Sequence, residues 1–307
     1  MSRFLDYCWS DVPKMLGVAL LYALLINVAF GGLADPDIVA TIWLPTGLGI
    51  AALLLGGRKY WISIFIGAVT AYVFFLARPW LLSVGIAMFS NMLEPLVAVG
   101  LLSQVHWKGA RFNSRLEHAR DYIWLGCAVG VSACVAAVSG IVILSMGGVI
   151  PLQAVPPAWT HWWMGNFLGG VLVAPLLLIW RHFPSRDFGR QQVFEAAACY
   201  GLAFLCGQVI FLGWFDGLVG VIARDYWMFL FVAWAAVRFG RHGVTLIIFM
   251  TAMQGLIGAI EGVGVFGTET VQTGLSNFWF FNVIYSVVGT VLALVISELR
   301  QTEALRE

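Results

Sequence analysis

Between Trp43 and Trp61 the chain reads WLPTGLGIAALLLGGRKYW: an aromatic and a proline, an apolar run almost free of polar groups, then a Gly-Gly-Arg-Lys turn followed by two more aromatics. This is the layout of half a membrane hairpin, with an outer aromatic anchor, a span and a basic inner loop. Pro45, Thr46, Gly47 and Gly49 each weaken or redirect the helix at its outer end. That end is therefore expected to face a pocket.

The remainder repeats the pattern. Of 307 residues, 61% are hydrophobic and 11% charged, with a mean hydropathy of +0.89, whereas soluble domains are about a quarter charged. A hydrocarbon core about 30 Å thick takes about 20 helical residues to cross. That length predicts spans at 14–33, 38–57, 60–77, 81–104, 120–146, 158–180, 193–213, 225–240, 244–262 and 274–297. The expected fold is an all-α integral membrane protein, a polytopic bundle of about ten transmembrane helices. Only Arg238 to Gly243 separates the eighth and ninth spans, so eight crossings plus a re-entrant hairpin is the alternative. Residues 1–297 make the membrane domain, and 298–307 the start of a cytoplasmic signalling helix, because the charged tail after Ser297 contains no helix breaker.

Basic residues orient the bundle. With ten spans and a cytoplasmic N-terminus, fifteen Lys and Arg fall inside and two, Arg78 and Arg224, outside, as the positive-inside rule requires. Both termini are thus expected in the cytoplasm. The outer loops are short and acidic, with Asp35, Asp37, Asp216, Asp225, Glu261 and Glu269. They leave no room for an extracellular domain, so an external ligand would be met within the membrane region. The opening MSRFLDYCWSDVPK lacks the pattern of a cleaved signal peptide, and the first span is expected to be retained.

Composition points to the lipid bilayer as a partner, and a net charge of +1 gives no reason to add nucleic acid. The five cysteines are an odd number without metal-finger spacing. Cys127 with Cys134, and Cys199 with Cys206, lie along single helix faces and are expected to pack as small buried residues. No phosphate-binding glycine loop, zinc-protease helix or nucleophile turn occurs. Four of the five histidines fall in predicted inner loops, against an intramembrane haem pair. No catalytic, cofactor or metal residue is assigned, and catalysis is not expected within these residues. A faint internal echo pairs the basic turns after the second and eighth spans, and Asn91 with Asn282 in the fourth and tenth. Either a parallel repeat or topology alone accounts for it.

Polar groups inside spans mark candidate chemistry. Glu94 sits mid-span, and Asn91, three residues earlier, is expected on the same helical face. In the sixth span Trp162 and Asn166 share a face, with His161 beside them near the outer boundary. By depth, Trp43, Pro45, Thr46, His161, Asn166, Gln208 and Asn282 belong to the outer half, with Asn91 and Glu94 near the centre. Together with Trp162 these are the candidate ligand-binding residues. Scattered hydrogen bonds between helices would give the same set.

Several segments resemble one known family. They are Trp43-Leu44-Pro45-Thr46-Gly47, Gly56-Gly57-Arg58-Lys59-Tyr60-Trp61, Asn91 to Glu94, Trp162 to Gly169 with Pro175, and Trp234 to Gly240. In that order they resemble the first type of membrane-associated sensor domain, MASE type one. This chain departs in having Asn166 where the resemblance leads one to expect an acidic residue. The resemblance implies a multi-pass sensory input domain of the bacterial inner membrane. It also implies a fused or coupled cytoplasmic effector, either a histidine kinase of a two-component system or a cyclic-di-GMP enzyme, and homodimerisation. The stimulus would be a small molecule or a membrane protein, relayed by the tenth helix. A small secondary transporter or uptake component is the alternative, and a ligand-free scaffold for a partner membrane protein is a third reading.

Overall fold

A computed structural model describes residues 7–32, 41–107, 109–183, 189–215, 224–267 and 271–304. Of the residues used above for orientation, Asp35, Asp37, Asp216, Glu269, Arg3, Lys108, Arg186 and Arg306 lie outside this set, as does the end of the predicted tail, 305–307.

Of the described residues, 85% are helical. In order come α1 (Val12–Gly32), α2 (Leu44–Gly56), α3 (Trp61–Thr70) with a π turn at Ala71–Phe75, and α4 (Trp80–Ile86), which passes through a second π turn (Ala87–Met92) into α5 (Leu93–Gln104). A two-residue hairpin, β1 (His106–Trp107) with β2 (Ala110–Arg111), leads to α6 (Ala119–Met146). Then follow α7 (Val155–Trp180), α8 (Arg190–Phe211), α9 (Met228–Arg238), α10 (Gly240–Glu261), α11 (Gly264–Gly267) and α12 (Val271–Ala304).

Each of the ten predicted apolar stretches contains a helix. Seven helical segments among the described residues are long and apolar enough to cross a membrane, making this a multi-pass membrane protein. Three fall short of the ruler. The 13-residue α2 starts only at Leu44, because Pro45 favours the first helical turn, and stops where Gly57 turns the chain at φ +88°. Helix α3 ends soon after its π turn. The 11-residue α9 gives way at Gly240, φ +63°, to α10. At 34 residues α12 is the reverse case, about 50 Å long at 1.5 Å per residue.

Contacts divide the chain into two compact units. Unit 1 is Met1–Ser114 with Ile123–Ala174, and unit 2 is Arg115–Tyr122 with Pro175–Glu307. In unit 1, α1 packs on α3 at Gly67, where a methyl group would lie 2.5 Å from the Ala19 carbonyl oxygen, and α2 packs on α5 where Gly49 meets Pro95. Lys59, in the turn after α2, is paired with Asp11 at the start of α1. In unit 2, α10 packs on α8, α9 and α12. Its centre is aromatic: Phe211 stacks on Phe266 at 5.5 Å, and Phe281 stacks on Tyr285 at 5.2 Å. One end of this unit gathers the Arg241 contacts to the Arg115 and Leu116 carbonyls, Arg300 on Val237, and Glu298 on the Ala119 amide.

Large apolar side chains such as Leu20, Leu24, Phe194 and Leu230 are exposed, as they should be on helices surrounded by lipid tails. The same reasoning corrects the cysteine expectation. All five thiols are free, Cys199 is buried, but Cys127 is exposed, since a lipid-facing position suits an apolar thiol as well as a protein core does.

Candidate functional site

The unusual outer end of the second span is a seat. The Trp43 amide donates to the Gly165 carbonyl at 2.9 Å, hanging the start of α2 on the side of α7. A methyl group at Gly169 would collide with the Trp43 carbonyl oxygen, and one at Gly47 would lie 2.5 Å from Val173 Cβ and 2.7 Å from the Gly169 carbonyl oxygen. Glycine on both helices is what lets two backbones approach this closely. Pro45 occupies the first turn of α2, where no backbone donor is missed. The Trp43 ring packs edge-on against Phe30 of α1 at 5.5 Å.

This seat brings Thr46 to Glu94. Thr46 Oγ1 donates to Glu94 Oε2 at 2.9 Å, and Asn166 Nδ2 donates to the same oxygen at 3.1 Å. The three residues come from α2, α5 and α7, and none is more than 2% exposed. Glu94 Oε1 is buried and has no hydrogen-bond partner among the described residues. The arrangement therefore holds a carboxyl group rigidly by one oxygen and leaves the other able to take one more donor.

Asn91 lies in the π turn ahead of α5 and has hydrogen-bond partners of its own. Its amide nitrogen donates to Tyr72 Oη at 2.9 Å, and its oxygen accepts from Tyr22 Oη at 3.3 Å. Tyr72 itself lies in the π turn of α3. The sequence reading missed both tyrosines; the available signal was a phenol inside an apolar run.

The other candidates make contacts of their own. Trp162 lays its ring over Gly140 of α6, and His161, half-buried, sits more than a turn before Asn166. Trp163 donates its indole N–H to the Gly130 carbonyl at 3.0 Å and so ties α7 to α6. Gln208 and Asn282 belong to unit 2. Asn282 Nδ2 donates to the Phe278 carbonyl of its own helix at 2.9 Å, while its Oδ1 is buried without a hydrogen-bond partner among the described residues. Gln254, absent from the sequence-based set, bonds the Phe204 carbonyl at 2.9 Å across helices.

No curated protein and no solved structure matches this chain. A family model described as MASE1 matches residues 12–300, which take in every candidate residue from Trp43 to Asn282. The protein described by these helices belongs to the MASE1 family of membrane sensor domains.

Proposed function

We propose that the chain is a sensory input module of the bacterial inner membrane with both termini cytoplasmic. In this reading a small molecule or membrane partner engages the Thr46–Glu94–Asn166 cluster. The altered helix packing then moves α12, which passes the change to a cytoplasmic output domain working as a dimer. The observation that carries the reading is the unsatisfied Oε1 of a carboxyl group buried where three helices meet. An unpaired polar atom in such a place is costly, and a stimulus that supplies a donor there gains differential affinity for one packing, which is what shifts an equilibrium.

Two further features support it. The 34 residues of α12 exceed what the bilayer needs, and the excess, from Ser297 onward, is charged. The Asp11–Lys59 pair and the contacts of Arg241 and Arg300 each gather predicted inner segments at one end of their own unit.

The test is a thermal-shift screen of the purified chain in nanodiscs against small metabolites, with Glu94→Gln and Asn166→Ala in parallel. Binding to the native state raises apparent stability by mass action. A stabilising compound whose effect is lost in both variants supports the site. A compound indifferent to both sinks it and favours the partner-protein reading. Uptake of the compound into proteoliposomes would move the assignment to a transporter.

A further inference from the structure

At one end of unit 2 a cavity of about 710 Å³ opens between the ends of α7 and α8, the α9–α10 turn and α12. Trp180, Tyr200 and Phe239 supply aromatic wall, and Arg238, Arg241 and Arg300 supply charge. The three arginines are not equivalent. Arg238 is neutralised by Glu195, with Nε and Nη2 each 2.5 Å from a carboxylate oxygen. Arg241 is held instead by carbonyl groups, its Nη1 3.1 Å from the oxygens of both Arg115 and Leu116. Arg300 is held the same way, with Nη2 2.6 Å from the Val237 carbonyl. Carbonyl oxygens fix a guanidinium in place without cancelling its charge. Glu117, the one carboxylate among the described lining residues, lies 3.8 Å from Arg115 and also acts electrostatically on Arg241.

We propose that this cavity binds a phosphate-bearing anion, with the phosphate taken between Arg241 and Arg300. Prefixed guanidinium forks are the side chains best matched to phosphate oxygens. The phosphate arrives either as the headgroup of an anionic lipid, which basic pockets between membrane helices accept, or on a soluble compound. Arg300, Ser297 and Ile296 bring α12 into the lining, and Gly240 and Arg241 bring the α9–α10 turn. An occupant therefore ties α12 to that turn and biases its position. Binding needs nothing from the Glu94 cluster; only the regulatory consequence rests on α12 being the output helix.

The full chain is reconstituted in phosphatidylcholine nanodiscs and melted under two additions: increasing phosphatidylglycerol in the disc, or inorganic pyrophosphate in solution. A melting-temperature rise of several degrees is expected in at least one arm. The half-saturating amount should increase at least tenfold in Arg300→Gln and in Arg241→Gln, partly recover in Arg300→Lys, and stay put in Arg224→Gln. A rise in the lipid arm alone identifies a headgroup site, and one in the pyrophosphate arm alone a soluble ligand. No rise in either arm, or a rise of equal size in Arg300→Gln, overturns the proposal. Arg300 lies on the exposed part of α12, so its variant carries the test if Arg241→Gln does not fold. Failure here leaves the Glu94 screen intact, and failure of that screen leaves this site intact.

Discussion

The two units solve the same problem, holding apolar helices together where water offers no contrast, with different emphasis. In unit 1, polar side chains reach each other across helices, Thr46 and Asn166 to Glu94, and Tyr22 through Asn91 to Tyr72. In unit 2 the centre is a stack of rings; Asn282, Gln254 and Tyr285 donate to backbone carbonyls, and Tyr122 with Ser286 makes a side-chain bond across helices at 2.6 Å. A bond between two side chains exists in only one register of the helices that carry them. Ring packing tolerates small shifts, because it depends on area and has few directional demands.

The contrast can be broken from either side by measuring reversible unfolding in mixed micelles. The largest loss is expected in unit 2 from Phe211→Ala, which empties a position 1% exposed against the rings of Phe266 and Phe281 and should cost about 3–5 kcal/mol. Next is Gly169→Ala in unit 1. Its methyl group would strike the Trp43 carbonyl, and overpacking at a backbone contact should cost about 3 kcal/mol. Glu94→Ala strands the Thr46 hydroxyl and the Asn166 amide together, at about 2–3 kcal/mol, whereas Glu94→Gln retains an acceptor and should cost less than about 1 kcal/mol. If the two variants are equally unstable, the triad is not what holds α2, α5 and α7 in register. Asn282→Leu removes a buried amide whose hydrogen bond among the described residues is to its own helix and whose Oδ1 has no partner there, so a loss of no more than about 1 kcal/mol is expected. A large loss there would erase the distinction between the units.

The smallest effect concerns pH. Hydrogen bonding to Asp11 holds the Lys59 ammonium above the usual lysine range. A raised pKa means the pair contributes fully below the ordinary lysine value, about 10.4, and is lost only as pH climbs through the raised value. Stability should thus show no inflection from this pair between about pH 6 and 9, and Asp11→Asn should lower the alkaline limit slightly.

Much of this was legible from apolar length and depth alone. Helices occupy all ten apolar stretches, and Thr46, Glu94 and Asn166, picked from three separate spans, do meet. Periodicity failed where the helix is not regular. Asn91 lies in a π turn, which no apolar pattern records, and it bonds Tyr22 and Tyr72 while Glu94 bonds Thr46 and Asn166. Tyr22 and Tyr72 were hidden because a phenol counts as apolar until its hydroxyl finds a partner. Depth could collect Gln208 and Asn282 with the others, but depth says nothing of lateral position, and both residues belong to unit 2.

The seat of α2 on α7 has a mechanical meaning. Most helix contacts are cushioned by side chains, which can change rotamer and absorb a displacement of an ångström before the neighbour feels it. At Gly47 and Gly169 there is no such cushion, and main chain rests on main chain, fastened by the Trp43 amide. Sliding is blocked by the carbonyl groups themselves, which leaves tilting about the contact as the motion with least resistance. A fulcrum of this kind turns a small push at one end of α2 into a swing at the other.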